Sequence, residues 1–266
     1  MHIAFIGGGN MGEAIMAALL HKRITSPAEI TVSDVSPTRL DYLYEKYGVN
    51  TTANNVPGIA GADVVVLAVK PQILPAVLAE MSGALQTNQL LLSIVAGARI
   101  AKIRNGLKHK KIIRSMPNTP AQIGEGITVW TATEEVTQLQ KGQARAILKV
   151  MGQEIEVDDE KYLDMATAVS GSGPAYVFYF VETFIQAAVK IGWSPEIAEK
   201  LVMQTLLGSA HLLHKSDKKP ADLRRAVTSP GGTTAAAISR LEKEDYAAIM
   251  TGAVEAAYNR AKELGS

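Results

Sequence analysis

Two stretches of this 266-residue chain hold residues whose types and spacing could do chemistry. The first is Val227-Thr228-Ser229-Pro230-Gly231-Gly232-Thr233-Thr234, followed by Ala235-Ala236-Ala237-Ile238. Pro230 with Gly231 and Gly232 predicts a tight loop. A helix follows, with Thr233 or Thr234 as its N-cap and Ile238 and Leu241 on one face. A loop of this kind leaves backbone N–H groups unpaired at the helix start, and their partial positive charge suits a small anion such as a carboxylate. Ser229, Thr233 and Thr234 add hydroxyls. The same residues also suit an ordinary capped helix after a turn.

The second stretch is Gly7-Gly8-Gly9-Asn10-Met11-Gly12, set between the apolar run Ile3–Ile6 and a helical run from Glu13 to Leu20. In this strand–loop–helix context Gly7 makes the tight turn and Gly9 lets the backbone approach a pyrophosphate. Gly12 lets the helix pack close on the strand. A second strand-like run, Glu29 to Ser33, ends in Asp34, about 20 residues past Gly12, where an acid takes the adenosine ribose hydroxyls of a dinucleotide. A glycine loop of purely structural use is the alternative.

These residues need a scaffold, and alternation of strands and helices supplies one. Leu40 to Tyr44 belongs to a helix and Val49 to a short strand. Asp63 to Val69 is near-continuously apolar, as a parallel strand covered on both faces must be. It ends at Lys70-Pro71, the strand Leu90–Val95 ends at Ala96-Gly97, and Lys111–Arg114 ends at Met116-Pro117-Asn118-Thr119-Pro120. Three such carboxyl ends would line one crevice, although each singly also reads as a plain turn. Outer strands Gly126–Trp130 and Glu154–Val157 flank a helix from Glu134 to Val150 and close the sheet near residue 160. Beyond Tyr162 the reading is helical. Ser170-Gly171-Ser172-Gly173-Pro174 is a break, and the helix from Tyr176 to Val189 is apolar on nearly every side, so it must be buried all round. A partner subunit is the expected cover, and packing on the sheet domain the alternative. Helices Ala198–His214 and Asp245–Leu264 complete the chain, with a charged linker at Lys215–Pro220.

Composition narrows the class. A net charge of +1 with mixed signs gives no footprint for nucleic acid or an anionic membrane. The chain has no cysteine, hence no disulfide, thiolate or cysteine-based zinc chemistry. The five histidines are scattered, and no metal site is expected. Neither a signal-type segment nor a run of about 18 apolar residues is visible, so a cytoplasmic location is the expectation.

The ordered motifs resemble those of pyrroline-5-carboxylate reductases over essentially the whole chain. The most specific part runs from Pro220 and Leu223 through Val227–Thr234 to Ala237, Ile238, Leu241 and Glu242. The glycine loop, Ala68-Val69-Lys70-Pro71, Met116–Pro120 and Ser170–Tyr176 support it. The resemblance implies an α/β chain: a Rossmann-type, doubly wound, mostly parallel sheet over residues 1–160, then an all-helical substrate-binding and dimerisation domain over 161–266. It implies a homodimer or higher homo-oligomer and hydride transfer from NADPH or NADH to the cyclic imine carbon of 1-pyrroline-5-carboxylate, giving L-proline. Ser229, Gly231, Gly232, Thr233 and Thr234 would hold the substrate carboxylate, with the Thr234 hydroxyl near the ring nitrogen as the catalytic group. Gly7, Gly9, Asn10, Met11 and Gly12 would carry the cofactor, together with Ser33, Asp34 and Asn55. Ala68, Val69, Lys70, Pro71, Ala96 and Pro117 would line the rest of its cleft.

The chemistry is consistent with the bare residues, because an imine can enter already protonated and no strong general acid is then obligatory. Two departures stand out. Arg224-Arg225 occupies a place where the family commonly has an acid. Asp34-Val35-Ser36 replaces the Asn-Arg or Ser-Arg of NADPH-preferring relatives, and the acid would repel a 2′-phosphate. Arg39 and the hydroxyls of Ser33, Ser36 and Thr38 could still accept one, so relaxed specificity or NADH is the expectation. A β-hydroxyacid dehydrogenase would need a lysine on the helix after Gly171-Ser172-Gly173, which has none before Lys190. A cofactor-sensing module would have no use for the Ser229–Thr234 loop.

Overall fold

The computed structural model describes residues 1–265. It divides into two compact units, Met1–Ser172 with the chain's end from Ala257, and Gly173–Ala256.

The first unit is built on eight strands: β1 (Ile3–Ile6), β2 (Ile30–Ser33), β3 (Asn50–Thr52), β4 (Val64–Leu67), β5 (Leu90–Ser93), β6 (Ile112–Met116), β7 (Gly126–Ala132) and β8 (Gly152–Glu156). Their order is β3-β2-β1-β4-β5-β6-β7-β8. The first six are parallel, β7 runs antiparallel to β6, and β8 parallel to β7. Helices α1 (Asn10–His21), α2 (Pro37–Tyr47), α3 (Asn55–Gly58), α4 (Leu74–Glu80), α5 (Ile100–Leu107), α6 (Gln138–Lys149) and α7 (Lys161–Ala166) complete it.

The strand sequences explain the layering. Ile3, Phe5, Val64, Val66, Leu90 and Leu92 point into one core with Ile15 and Leu19 of α1, Leu43 of α2 and Ile147 of α6. Their neighbours Ala4, Ile6, Val65, Leu67 and Leu91 point into the other, with Leu74 of α4 and Ile103 of α5. Side chains alternate across a strand, so a continuous apolar run fills two cores at once. Each fully buried side chain of this kind contributes about 1.5–3 kcal/mol.

Polar groups fix the far end of the sheet. Arg114 of β6 is only 2% exposed, with Nη1 2.7 Å from Glu160 and Nη2 3.5 Å from Asp164 of α7. Arg99 donates to the other Asp164 oxygen at 2.7 Å, and the Ile100 N–H donates to Glu160 at 2.8 Å. This ionic junction ties the ends of β5 and β6 to α7.

Two local expectations are corrected. The break expected at Ser170–Pro174 narrows to a bend at Ser172, after which a new helix starts at Gly173 with Pro174 in its first turn; the residues before it form a wide helical turn, Thr167–Gly171, closed by a Ser172 N–H to Thr167 carbonyl bond of 2.8 Å. A Cβ on Gly171 would lie 2.7 Å from the Met116 Cε, so the glycine is there for close approach. The helix expected from Glu134 begins at Gln138, where Thr137 and Gln140 cap each other reciprocally.

The second unit holds α8 (Gly173–Lys190), α9 (Pro195–Lys215), α10 (Pro220–Ala226), α11 (Thr233–Lys243) and most of α12 (Tyr246–Gly265). Helices α8 and α9 pack together through Ala188, Ala198 and Val202. Much of the apolar surface of α8 stays open: Phe178 is 65% and Tyr179 68% exposed, and Val177, Phe180 and Phe184 are exposed as well. Apolar area of that extent on one helix marks an association surface.

Candidate active site

The strand order reverses between β1 and β4, since β1 continues outward through β2 and β3 and β4 through β5 and β6. Loops from the carboxyl ends of β1 and β4 leave a crevice at such a point, where ligands bind. Here it is a cleft of about 660 Å³, with Gly9, Asn10 and Met11 of the glycine loop on one side and Asp34, Ser36 and Arg39 beyond β2. Ala68, Val69, Lys70 and Pro71 follow β4, Ile94, Val95 and Ala96 follow β5, and Met116 and Pro117 follow β6. A side pocket of about 320 Å³ shares Gly9, Asp34 and Ala68–Lys70 and adds Gly7, Ser33 and Asn55.

The glycine loop has the shape its sequence predicts. Gly7 has φ +99°, and a Cβ there would lie 2.7 Å from the Ala68 carbonyl oxygen. Gly12 lies beneath the loop, where a Cβ would meet the Gly7 carbonyl oxygen at 2.6 Å. At Gly9 a Cβ would meet nothing within 4 Å. Bare backbone at the head of α1 therefore faces the open cleft, a cradle that fits a pyrophosphate. Asp34 completes the fit: one carboxylate oxygen accepts the Gly8 N–H at 2.8 Å and the other the Ser36 N–H at 3.0 Å. A carboxylate fixed this way at the end of β2 suits the two hydroxyls of an adenosine ribose. Asn55 is also fixed, accepting the Ser33 hydroxyl at 2.7 Å and donating to Glu80 at 2.6 Å.

A cluster centred on Glu13 escaped the sequence reading. One Glu13 oxygen accepts bonds from Tyr47 at 2.7 Å, Tyr42 at 3.0 Å and Lys46 at 3.1 Å; the other is paired with Arg39. Burial pushes the Glu13 carboxyl up, but bonds from Tyr47, Arg39, Lys46 and Tyr42 outweigh it and bring its pKa down to about 2. Arg39, Tyr42 and Lys46 lie at three- and four-residue intervals on one face of α2, and that spacing was the available signal.

The Ser229–Thr234 loop lies wholly in the second unit. Gly231 has φ +72° and the Gly232 N–H bonds the Ser229 carbonyl at 3.0 Å. Gly232, extended, is the N-cap of α11, so Thr233 and Thr234 are its first helical residues and not its cap. The first bond inside α11 is Ala236 N–H to the Gly232 carbonyl. The N–H groups of Thr233, Thr234 and Ala235 thus lack an intrahelical acceptor, as an anion site requires. Arg225 pairs with Asp222, and the Arg224 guanidinium lies 3.8 Å from the Glu242 carboxylate, so each arginine has an acid of its own unit beside it.

A dinucleotide cradle at the switch point of a doubly wound sheet, followed by a helical unit, defines an NAD(P)-dependent oxidoreductase of Rossmann type. Comparison with known proteins narrows the class. Residues 160–264 match the pyrroline-5-carboxylate reductase dimerisation family, and residues 2–97 the family of coenzyme F420-dependent NADP oxidoreductases. The pyrroline-5-carboxylate reductase of Synechocystis is 41% identical over 100% of this chain and 98% of its own length. That of Escherichia coli is 36% identical over 98% and 97%. The structure of a pyrroline-5-carboxylate reductase from Coxiella burnetii superposes with a TM-score of 0.91 at 40% identity, covering 100% of this chain and 98% of that one. Plasmodium falciparum pyrroline carboxylate reductase with NADP bound superposes at 0.90 with 34% identity, covering 100% and 98%. The chain belongs to the pyrroline-5-carboxylate reductase family.

Proposed function

We infer that this protein reduces 1-pyrroline-5-carboxylate to L-proline with a hydride from NADPH or NADH, the last step of proline biosynthesis. The observation that carries the inference is the likeness to reductases of that name across the whole of this sequence. It is a homodimer or a higher homo-oligomer, and the open apolar face of α8 is the surface such an assembly covers. Among the described residues no helix is long and apolar enough to cross a membrane. We place the enzyme in the cytoplasm, in keeping with a cysteine-free chain.

In this reading residues 1–160 bind the dinucleotide and 161–266 bind the substrate and the partner subunit. The bound nicotinamide supplies the hydride. The protein's own residues orient and hold. Gly7, Gly9, Asn10, Met11 and Gly12 present the backbone of the α1 start to the pyrophosphate, and Asp34 takes the ribose hydroxyls. Asn55, Ala68–Pro71, Ala96 and Pro117 wall the cleft. Ser229, Gly231, Gly232 and Thr233 hold the substrate carboxylate through the open N–H groups at the start of α11. The Thr234 hydroxyl lies near the ring nitrogen, where its oxygen accepts the iminium N–H. An iminium that arrives protonated already carries the proton that ends on the proline nitrogen, so positioning is the main contribution the residues make.

Following NADH and NADPH absorbance with 1-pyrroline-5-carboxylate, and separately with 3-hydroxyisobutyrate, tests this. Turnover of the first alone is expected. Turnover of the second alone would identify a hydroxyacid dehydrogenase, and turnover of neither would make the chain a cofactor sensor.

A further inference from the structure

The cleft read above as the NAD(P)H site has a direction. Its pyrophosphate cradle lies at the start of α1, and Asp34, the acid for the adenosine ribose, lies beyond β2. The nicotinamide half must then run the other way, over the carboxyl ends of β4, β5 and β6. Ile94, Val95 and Ala96 wall that side after β5. They lead into a tight turn, Val95–Ala98, closed by the Ala98 N–H on the Val95 carbonyl at 3.3 Å. Gly97, its third residue, has the φ of +71° that such a turn asks of a glycine. Ala96, its second, is exposed and lines the cleft.

A piece of chain far away in sequence covers the back of this turn. From Ala257 onward α12 belongs to the first unit, and Ala261 is buried there. A Cβ on Gly97 would lie 3.1 Å from the Leu264 carbonyl oxygen and 3.4 Å from the Leu264 Cβ, so the last turn of α12 rests on this glycine. Arg99, just past the turn, fastens the two. Its Nε donates to the Gly265 carbonyl at 3.3 Å and its Nη2 to the buried Asp164 carboxylate at 2.7 Å. The last carbonyls of a helix lack intrahelical donors and carry the negative end of its dipole, so a guanidinium suits them. Arg99 is also the N-cap residue of α5, where its own carbonyl accepts the Ile103 N–H at 3.1 Å and its backbone is thereby fixed.

We propose that Arg99 is a positioning residue for the nicotinamide half of the cofactor: tied to Asp164, it clamps the last turn of α12 behind Gly97 and so holds Ala96 at the cleft wall. Arg99 does not line the cleft itself and acts through the Val95–Ala98 turn. Without the clamp the turn keeps its closing bond but loses its backing, and binding of the nicotinamide half must then order it. The adenosine end lies on the other side of the α1 start and is untouched. The inference rests on the cleft being the dinucleotide site, and the test separates the two.

The experiment titrates ADP, NADH and NADPH into the full chain by calorimetry and takes the affinity of each dinucleotide relative to ADP, alongside kcat/KM and thermal unfolding. ADP fills only the adenosine and pyrophosphate part of the cleft, so it is blind to the nicotinamide side. In Arg99→Met both dinucleotides should weaken about tenfold, the scale of ordering one backbone residue on binding, while ADP stays within about twofold. The kcat/KM for each dinucleotide should fall with its affinity. Equal weakening of ADP and the dinucleotides, or a lower Tm with no change in any affinity, would make Arg99 merely structural and overturn the proposal. Should Arg99→Met fold poorly, Gly265→Ala decides the matter. Its Cβ would lie 2.8 Å from the Arg99 Nε, which pushes the guanidinium off the helix end while its charge stays beside Asp164. The dinucleotides should again weaken against ADP, about threefold for one lost hydrogen bond, and an unchanged ratio would refute the inference. Binding of none of the three by folded wild-type protein would overturn the assignment of the cleft itself, and this inference with it.

Discussion

The glycine loop makes a prediction that separates stability from binding, through Gly9→Ala and Gly12→Ala. A Cβ on Gly12 would stand 2.6 Å from the Gly7 carbonyl oxygen, a contact with backbone that no rotamer change relieves. Overpacking of that kind costs about 1–3 kcal/mol, and replacing a helical glycine returns about 0.5–1 kcal/mol. The net loss is about 1–2 kcal/mol, which lowers Tm by roughly 2–8 °C for a chain of this size. At Gly9 the added Cβ meets nothing within 4 Å, and the backbone there, φ −66° and ψ −177°, suits alanine. The weaker N-cap and the smaller unfolded-state entropy are of similar size and opposite sign, so Tm should hold within about 2 °C. The methyl group instead occupies the place where a pyrophosphate would meet the loop. Losing one or two charge-assisted bonds of about 1.5–3 kcal/mol should weaken ADP at least about tenfold. Thermal unfolding and calorimetric titration of both variants check this. Wild-type ADP affinity in Gly9→Ala, or an unchanged Tm in Gly12→Ala, would refute the geometry argued for the loop.

Thr234→Ala is expected to raise the substrate KM or lower kcat strongly while cofactor affinity stays nearly intact; unchanged steady-state kinetics would remove Thr234 from the site. Arg114→Met leaves Asp164, itself 4% exposed, with Arg99 as its remaining charged partner, and should cost about 3 kcal/mol in urea unfolding; a loss under about 1 kcal/mol would show the junction to be dispensable. The Glu13 carboxyl is depressed from 4.5 to about 2 by its partners, so its stabilisation is fully present above pH 4.5 and is lost as pH falls towards 2. The urea midpoints of wild type and Glu13→Gln should therefore converge across that window, and a gap constant down to pH 2 would contradict the assignment. Phe178→Lys removes about 2 kcal/mol of burial per protomer, which weakens a twofold dimer roughly a thousandfold if that face is the interface; an unchanged sedimentation mass at micromolar concentration would move the interface elsewhere.

What was legible in the sequence is what obeys a short-range rule. The run Asp63–Val69, near-continuously apolar, reads as a strand covered on both faces, and its centre Val64–Leu67 is one. The spacing from Gly12 to Asp34 placed an acid at the end of β2, where its two backbone bonds now hold it. Rules of the same reach failed where two conformations satisfy them equally. Either threonine after Gly232 could have capped α11, but Gly232 took the cap in extended conformation and both threonines entered the helix. The Ser170–Gly173 stretch has the composition of a break, yet hydroxyl bonds from Thr167 and Ser170 back to Leu163 and Ala166 accompany a wide helical turn. Long-range pairings left little local trace: Arg114 finds Glu160 46 residues downstream, and of the pairing of Glu13 with Arg39, 26 residues on, only the spacing on α2 was visible.

The same contrast runs through the chemistry. A reductase of a cyclic imine needs no nucleophile, metal or strong acid, so the motifs by which many enzymes announce themselves are missing from a chain whose function is nevertheless specific. In the proposed reading, what remains to be encoded is shape and charge at two places, a dinucleotide cleft and an anion loop. Both are made from backbone N–H groups at helix starts, Gly9–Gly12 for α1 and Gly231–Thr234 for α11. Backbone donors cannot be read from residue identity, and only the glycines that expose them can.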